Sequence, residues 1–192
     1  MIRSFIAVEI SQENRDKLRN ITQILQDIEL SRDVRWVDPG KIHLTIKFLG
    51  DVKPEKINQI TESMDNIGRE IYPFRLSMSG MGCFPNPAKA RVIWVGLDLK
   101  KGDELSTLQI SVAKGMEKLG FKPENRPFRP HLTLARIKKP LGSNRVQALL
   151  DRFQTFQTED IITEMVLMRS ELTPSGSIYT VLHRSVFRGS NA

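Results

Sequence analysis

The chain has 192 residues, 40% of them hydrophobic and 27% charged, with a formal net charge of +7. That composition belongs to a folded chain long enough to bury a sizeable core, and no apolar run reaches the ~20 residues of a membrane-spanning helix. The single cysteine, Cys83, excludes an internal disulfide and a multi-thiolate metal site, and the positive balance favours an anionic partner, nucleic acid first.

Residues 3 to 10, R-S-F-I-A-V-E-I, are dense in strand formers, and the short apolar run with its acidic Glu9 argues against a signal peptide. Ser11 is placed to open a helix in which Leu18, Ile21, Leu25 and Ile28 recur at spacings of three and four. The phrase H-L-T-I-K-F-L-G follows at 43 to 50 and reads as a strand. Pro54 suits the first turn of a second helix, with Ile57, Ile60, Met64 and Ile67 on one face. Residues 72 to 80 read as a strand, followed by a loop, G-M-G-C-F-P-N-P. The G-x-G at 80 to 82 lacks the third glycine and the helix start of a dinucleotide loop, so it reads as a turn.

The second half starts over. Residues 91 to 99 read as a strand, and Leu105, Leu108, Val112, Met116 and Leu119 form a helical stripe stopped by Gly120. The phrase H-L-T-L-A-R begins at residue 131, and Ser143 can cap a helix carrying Val146, Leu149, Leu150 and Phe153. Residues 161 to 169 and 177 to 187 read as the last two strands. The whole chain, 1 to 192, is expected to be one two-lobed domain with pseudo-repeat halves at about 3 to 80 and 91 to 169. Each half brings one histidine strand to a shared cleft; two copies are too few for a solenoid.

The repeated phrase carries the chemistry. His131 and Thr133 stand 88 residues after His43 and Thr45. In a random ordering of this composition, two of three histidines would have Thr two places on in roughly 1% of cases. Strict alternation puts His43, Thr45 and Lys47 on one strand face, with Leu44, Ile46 and Phe48 behind. It likewise puts Arg129, His131 and Thr133 together and turns Arg136 away. Two imidazoles can divide the work on a phosphodiester: one takes a proton from water, the other gives one to the departing alkoxide. Threonine hydroxyls can donate to the phosphoryl oxygens as charge builds there. No metal and no cofactor are expected, because no carboxylate-and-histidine cluster of ligand spacing is present. His183 lacks the Thr two places on and reads as structural or exposed, and Cys83 has no partner for a nucleophilic role.

On these residues the chain resembles the two-histidine phosphoesterase superfamily, and within it the prokaryotic RNA 2′,3′-cyclic phosphodiesterase family, also called the 2′-5′ RNA ligase family. The likeness extends to the opening R-S-F-I-A-V-E-I, to W-V-D-P-G-K-I-H-L-T-I-K-F-L-G, to F-R-P-H-L-T-L-A-R and to M-R-S-E-L-T-P-S-G-S-I-Y-T-V-L near the end. It implies an α+β, bilobal fold, an antiparallel sheet in each lobe flanked by helices, with a central cleft. It implies hydrolysis of a terminal 2′,3′-cyclic phosphate on RNA, such as a tRNA fragment or short oligonucleotide, to a 2′-phosphate. His43 is then the proton donor, His131 the proton acceptor, and Thr45, Thr133 and Arg136 phosphate or substrate contacts. Simple alternation requires a bulge, a strand end or a long reach to bring Arg136 to the site, and Lys47 or Arg129 could serve the phosphate instead. A monomer in a reducing cytoplasm, with no membrane partner, completes the expectation. The alternatives are a 2′-5′ ligase or reversible transferase, and a binding module for RNA ends or nucleotides without turnover.

Overall fold

Each stripe of apolar residues spaced three and four apart forms a helix. The computed structural model describes residues 1–28, 32–98, 103–174 and 176–188. Within them lie α1 (Gln12–Ile28), α2 (Ile57–Glu70), α3 (Glu104–Lys118) and α4 (Ser143–Asp151). The stripes are buried as their spacing predicts: Leu18, Ile21 and Leu25 of α1, Ile60, Met64 and Ile67 of α2, Leu105, Leu108, Val112 and Met116 of α3, and Val146, Leu149 and Leu150 of α4. Ile28, by contrast, is exposed at the end of α1. Ser11 Oγ accepts from the Asn14 amide at 3.3 Å and so caps α1. Asp103 caps α3 in the same way, accepting from the Ser106 amide at 2.7 Å. The cap of α4 is Gly142 rather than Ser143, which is the first helical residue and makes no capping bond.

Nine strands are described: β1 (Ile2–Glu9), β2 (Val34–Trp36), β3 (His43–Val52), β4 (Phe74–Phe84), β5 (Val92–Leu97), β6 (His131–Ile137), β7 (Gln157–Ile162), β8 (Glu164–Thr173) and β9 (Gly176–Val186). They form two antiparallel sheets, a first in the order β3-β1-β8-β9 and a second in the order β2-β6-β5-β4-β7. The last strand of each half is exchanged. β4 pairs with β5 in the sheet of the second histidine phrase, and β8 pairs with β1 in the sheet of the first. The core is continuous across this exchange: one buried cluster takes residues from both sheets and all four helices. Among the described residues no helix is long and apolar enough to cross a membrane.

The strands differ from the sequence reading at four places. The expected loop after residue 80 is strand: β4 runs on to Phe84, and its ladder with β5 resumes at Met81 after an irregularity at Gly80. Gly82 is needed there because the Trp94 ring lies where its Cβ would be. The G-x-G is therefore a bulge and a ring seat, not a turn. The single strand expected over 161 to 169 is two strands that part at Thr163 and enter different sheets. The strand expected over 91 to 99 is shorter, Val92–Leu97, and its last expected residue lies outside the described residues. β2 has only three residues, too few for alternation to reveal.

Candidate active site

Both motif histidines open a strand, His43 at the start of β3 and His131 at the start of β6. Both are held alike. His43 Nδ1 donates to the Lys41 carbonyl at 2.8 Å, and His131 Nδ1 to the Arg129 carbonyl at 2.8 Å. In each case the carbonyl is two residues back, at the bend that leads into the strand. A proton held at Nδ1 fixes the neutral tautomer and leaves Nε2 as the lone-pair nitrogen.

The residues that follow show why alternation misleads. In the β1–β3 pair, Ala7 faces Thr45 and Ile6 faces Lys47, so Ile46 is an extra residue, a bulge. In the β5–β6 pair, Trp94 faces Thr133 and Ile93 faces Ala135, so Leu134 is the extra residue. The two bulges stand at the same point of the two phrases. Beyond each bulge the faces reverse. Lys47 turns to the helix side, where it is 2% exposed and its Nζ donates to the Lys122 carbonyl at 3.1 Å. It does not share a face with His43, contrary to the alternation reading, and instead ties down the loop that leads to His131. Arg136, five residues after His131, turns to the side of Thr133 and is exposed. Of the bulge, strand end or long reach left open by the sequence reading, the bulge is present. Phe48 occupies the corresponding place after His43 and is 64% exposed. Arg129 is exposed ahead of β6 and takes part through its carbonyl.

Thr45 and Thr133 thus lie on the histidine side of their strands, each in cross-strand register with a residue of the sheet's inner neighbour. The two phrases approach one another, since β3 and β6 are in contact and the charge of Arg136 bears on His43. His183 is elsewhere: its Nε2 meets Asp65 Oδ1 at 2.8 Å and links β9 to α2. Cys83 is partly buried, which pushes its thiol up, away from nucleophilic character.

Several residues beside the histidines were missed. The His43 ring stacks on Phe5 at 4.8 Å and meets the edge of Tyr179 at 5.0 Å. The His131 ring meets the edge of Phe84 at 5.0 Å, with Trp94 at 6.5 Å. Aromatic pairs of this kind contribute about 0.5–1.5 kcal/mol each and fix ring orientation. A signal for Phe5 was present: Phe5, Ala7 and Glu9 alternate with Ile6, Val8 and Ile10, and the second set faces the helices. Tyr179 and Trp94 come from strands of other registers, which no local pattern connects to the histidines.

Glu9 breaks the symmetry between the two imidazoles. It is the cross-strand partner of His43, whereas the partner of His131 is Gly96. Arg15 Nη2 meets Glu9 Oε1 at 2.7 Å and Arg184 Nη1 meets Oε2 at 2.9 Å. Burial pushes the Glu9 carboxyl up, but the two guanidinium groups outweigh it and hold the group below its ordinary value, charged. For His43, burial is the largest influence and lowers the imidazole below its ordinary 6.5. The Lys41 carbonyl and Glu9 oppose that shift, and Arg15 and Arg136 add to it. Among the described residues no three His, Cys, Asp or Glu side chains cluster as metal ligands.

Comparison with known proteins gives a consistent picture. The model of the LigT-like phosphoesterase family matches twice, over residues 8–94 and 96–179, one histidine phrase in each match. The chain is 36% identical over 188 residues to an RNA 2′,3′-cyclic phosphodiesterase of Methanothermobacter thermautotrophicus, covering 97% of this chain and 98% of that one. It is 33% identical to an RNA 2′,3′-cyclic phosphodiesterase of Archaeoglobus fulgidus, with 93% and 96% covered. A crystal structure from Thermus thermophilus superposes with a TM-score of 0.83 at 29% identity, covering 99% of this chain and all (100%) of that one. E. coli LigT in complex with 3′-AMP superposes with a TM-score of 0.77 at 25% identity, covering 97% and 98%.

Proposed function

The chain belongs to the LigT-like phosphoesterase family, and on that premise we propose that it hydrolyses the 2′,3′-cyclic phosphate at the end of an RNA chain to a 2′-phosphate. The observation that carries this reading is the matched pair of imidazoles, each locked through Nδ1 to a carbonyl and each followed by a threonine on its own face. Water attacks the phosphorus in line with the P–O3′ bond, and Nε2 of His131 takes its proton. The P–O3′ bond breaks, and Nε2 of His43 delivers a proton to O3′, leaving a 3′-hydroxyl and a 2′-phosphomonoester. Thr45 and Thr133 hold the phosphoryl oxygens as negative charge grows on them, and Arg136 is a further substrate contact. The Glu9 carboxylate opposite His43 favours the charged form that a proton donor needs, against the larger opposing effect of burial, and His131 has Gly96 in that place.

The direct test is a short RNA with a 2′,3′-cyclic end. The expected product is a 2′-phosphate, identified by mass and by resistance to a 3′-phosphatase. A dominant 3′-phosphate would overturn the choice of bond, and transfer to a second RNA's ribose hydroxyl in place of water would favour the ligase. Both proton transfers are assigned to imidazoles, so turnover is expected to persist in EDTA. Complete loss restored by added metal, with the fold intact, would sink the two-histidine mechanism.

The pH profile tests the donor. His43 has to carry its proton, and its pKa lies below 6.5. One histidine must be neutral while the other is charged, so kcat/KM is expected to be bell-shaped, with two apparent pKa values that belong to the pair. Glu9 raises the His43 pKa, so Glu9→Gln should lower the share of His43 that carries its proton, and with it the height of the bell. Arg15, which also disfavours the charged ring, acts in the same direction. A Glu9→Gln profile as high as that of the wild-type chain would detach Glu9 from His43.

A further inference from the structure

Arg35 and Arg136 are directly opposite partners in the antiparallel β2–β6 pair, so both side chains leave the same face, the one that carries Thr133. Like charges placed opposite one another in a sheet repel. Both residues are exposed, and among the described residues neither lies within ion-pair distance of a carboxylate. The Arg35 guanidinium lies over Gly176, in the space a Cβ there would take, so a side chain of the second sheet reaches the β8–β9 hairpin of the first. The first histidine phrase has no such pair: the position matching Arg136 is Phe48.

We propose that Arg35 and Arg136 together bind a second phosphate of the substrate, the one on the 5′ side of the nucleotide that ends in the cyclic phosphate. The proposal rests on the RNA-end reading above and deepens it. A cyclic phosphate occupies both the 2′ and 3′ oxygens, so any further phosphate on an RNA end lies to the 5′ side. Two planar guanidinium forks on one face suit the oxygens of one phosphate, and a bound anion converts their mutual repulsion into shared attraction. The placement also sets direction, because the RNA leaves the reacting phosphate on the β2–β6 side and not past Phe48.

The experiment compares adenosine 2′,3′-cyclic phosphate with and without a 5′-phosphate. In the wild-type chain the 5′-phosphate is expected to raise kcat/KM by about tenfold or more. In Arg35→Gln that ratio should fall to near one, and Arg35→Lys should retain part of it. Arg136→Gln is read by the same ratio, whatever it does to both rates, and supplies the answer if Arg35→Gln does not fold. A wild-type ratio near one, or a wild-type ratio preserved in Arg35→Gln and Arg136→Gln, would overturn the second phosphate site while leaving the phosphodiesterase reading standing. Failure of the wild-type chain to turn over either compound or a short RNA with a 2′,3′-cyclic end would overturn both.

Discussion

Replacing either motif histidine by alanine is expected to lower kcat by about 10²-fold or more, the usual scale for a group that moves a proton in the transition state. His43→Ala also removes a ring stacked on Phe5 at 4.8 Å, so some loss of Tm is expected with it. The comparison is therefore made on kcat at a temperature where both variants are folded. The double variant should be far less impaired than the product of the two single losses, because one proton transfer without the other leaves the reaction incomplete. His183→Ala supplies the contrast. It breaks a 2.8 Å contact with Asp65 on the helix side of the first sheet and should lower Tm with kcat near wild type. A kcat for His183→Ala as low as for the motif variants would mean that the three histidines have been divided wrongly.

The second large effect separates the two imidazoles from each other. Sulfur in place of O3′ makes a leaving group that needs little protonation. That substrate is expected to restore His43→Ala by about tenfold or more relative to the normal ester, and to leave His131→Ala as slow as before. Equal rescue of both would mean that the assignment of donor and base is wrong. Rescue of His131→Ala alone would exchange the two roles, an outcome in which the Glu9 carboxylate sits beside the base rather than the acid.

Much of this was legible in the residues, and the parts that were not share a cause. The helices were readable because each buries a stripe wide enough to show in the spacing, as with Leu105, Leu108, Val112 and Met116. The two histidine strands were readable because a phrase repeated at a fixed offset is a signal that survives ignorance of the fold. The bulges at Ile46 and Leu134 were not readable. A bulge adds one residue to a strand without changing its composition, yet it decides that Lys47 is buried and Arg136 exposed. The break at Thr163 was hidden for a similar reason, since apolar residues stand close on both sides of it, Ile161 and Ile162 before and Met165 to Met168 after, and no Gly or Pro marks a turn between them. Arg35 lay in a strand of three residues, and its place opposite Arg136 follows from pairing across a hundred positions, which no local pattern carries.

The exchange of β4 and β8 between the sheets has a consequence for how the chain is made. Synthesis is vectorial, and β1 emerges first. Its partner β8 begins only at Glu164, so at roughly 5–20 residues per second β1 waits on the order of ten seconds with one edge open. Every strand of the second sheet has been delivered by Ile162, while the first sheet at that moment consists of β1 and β3 alone. A nascent or truncated chain stopped there carries a finished sheet beside an unfinished one, with an apolar F-I-A-V edge that can accept a strand from a second molecule.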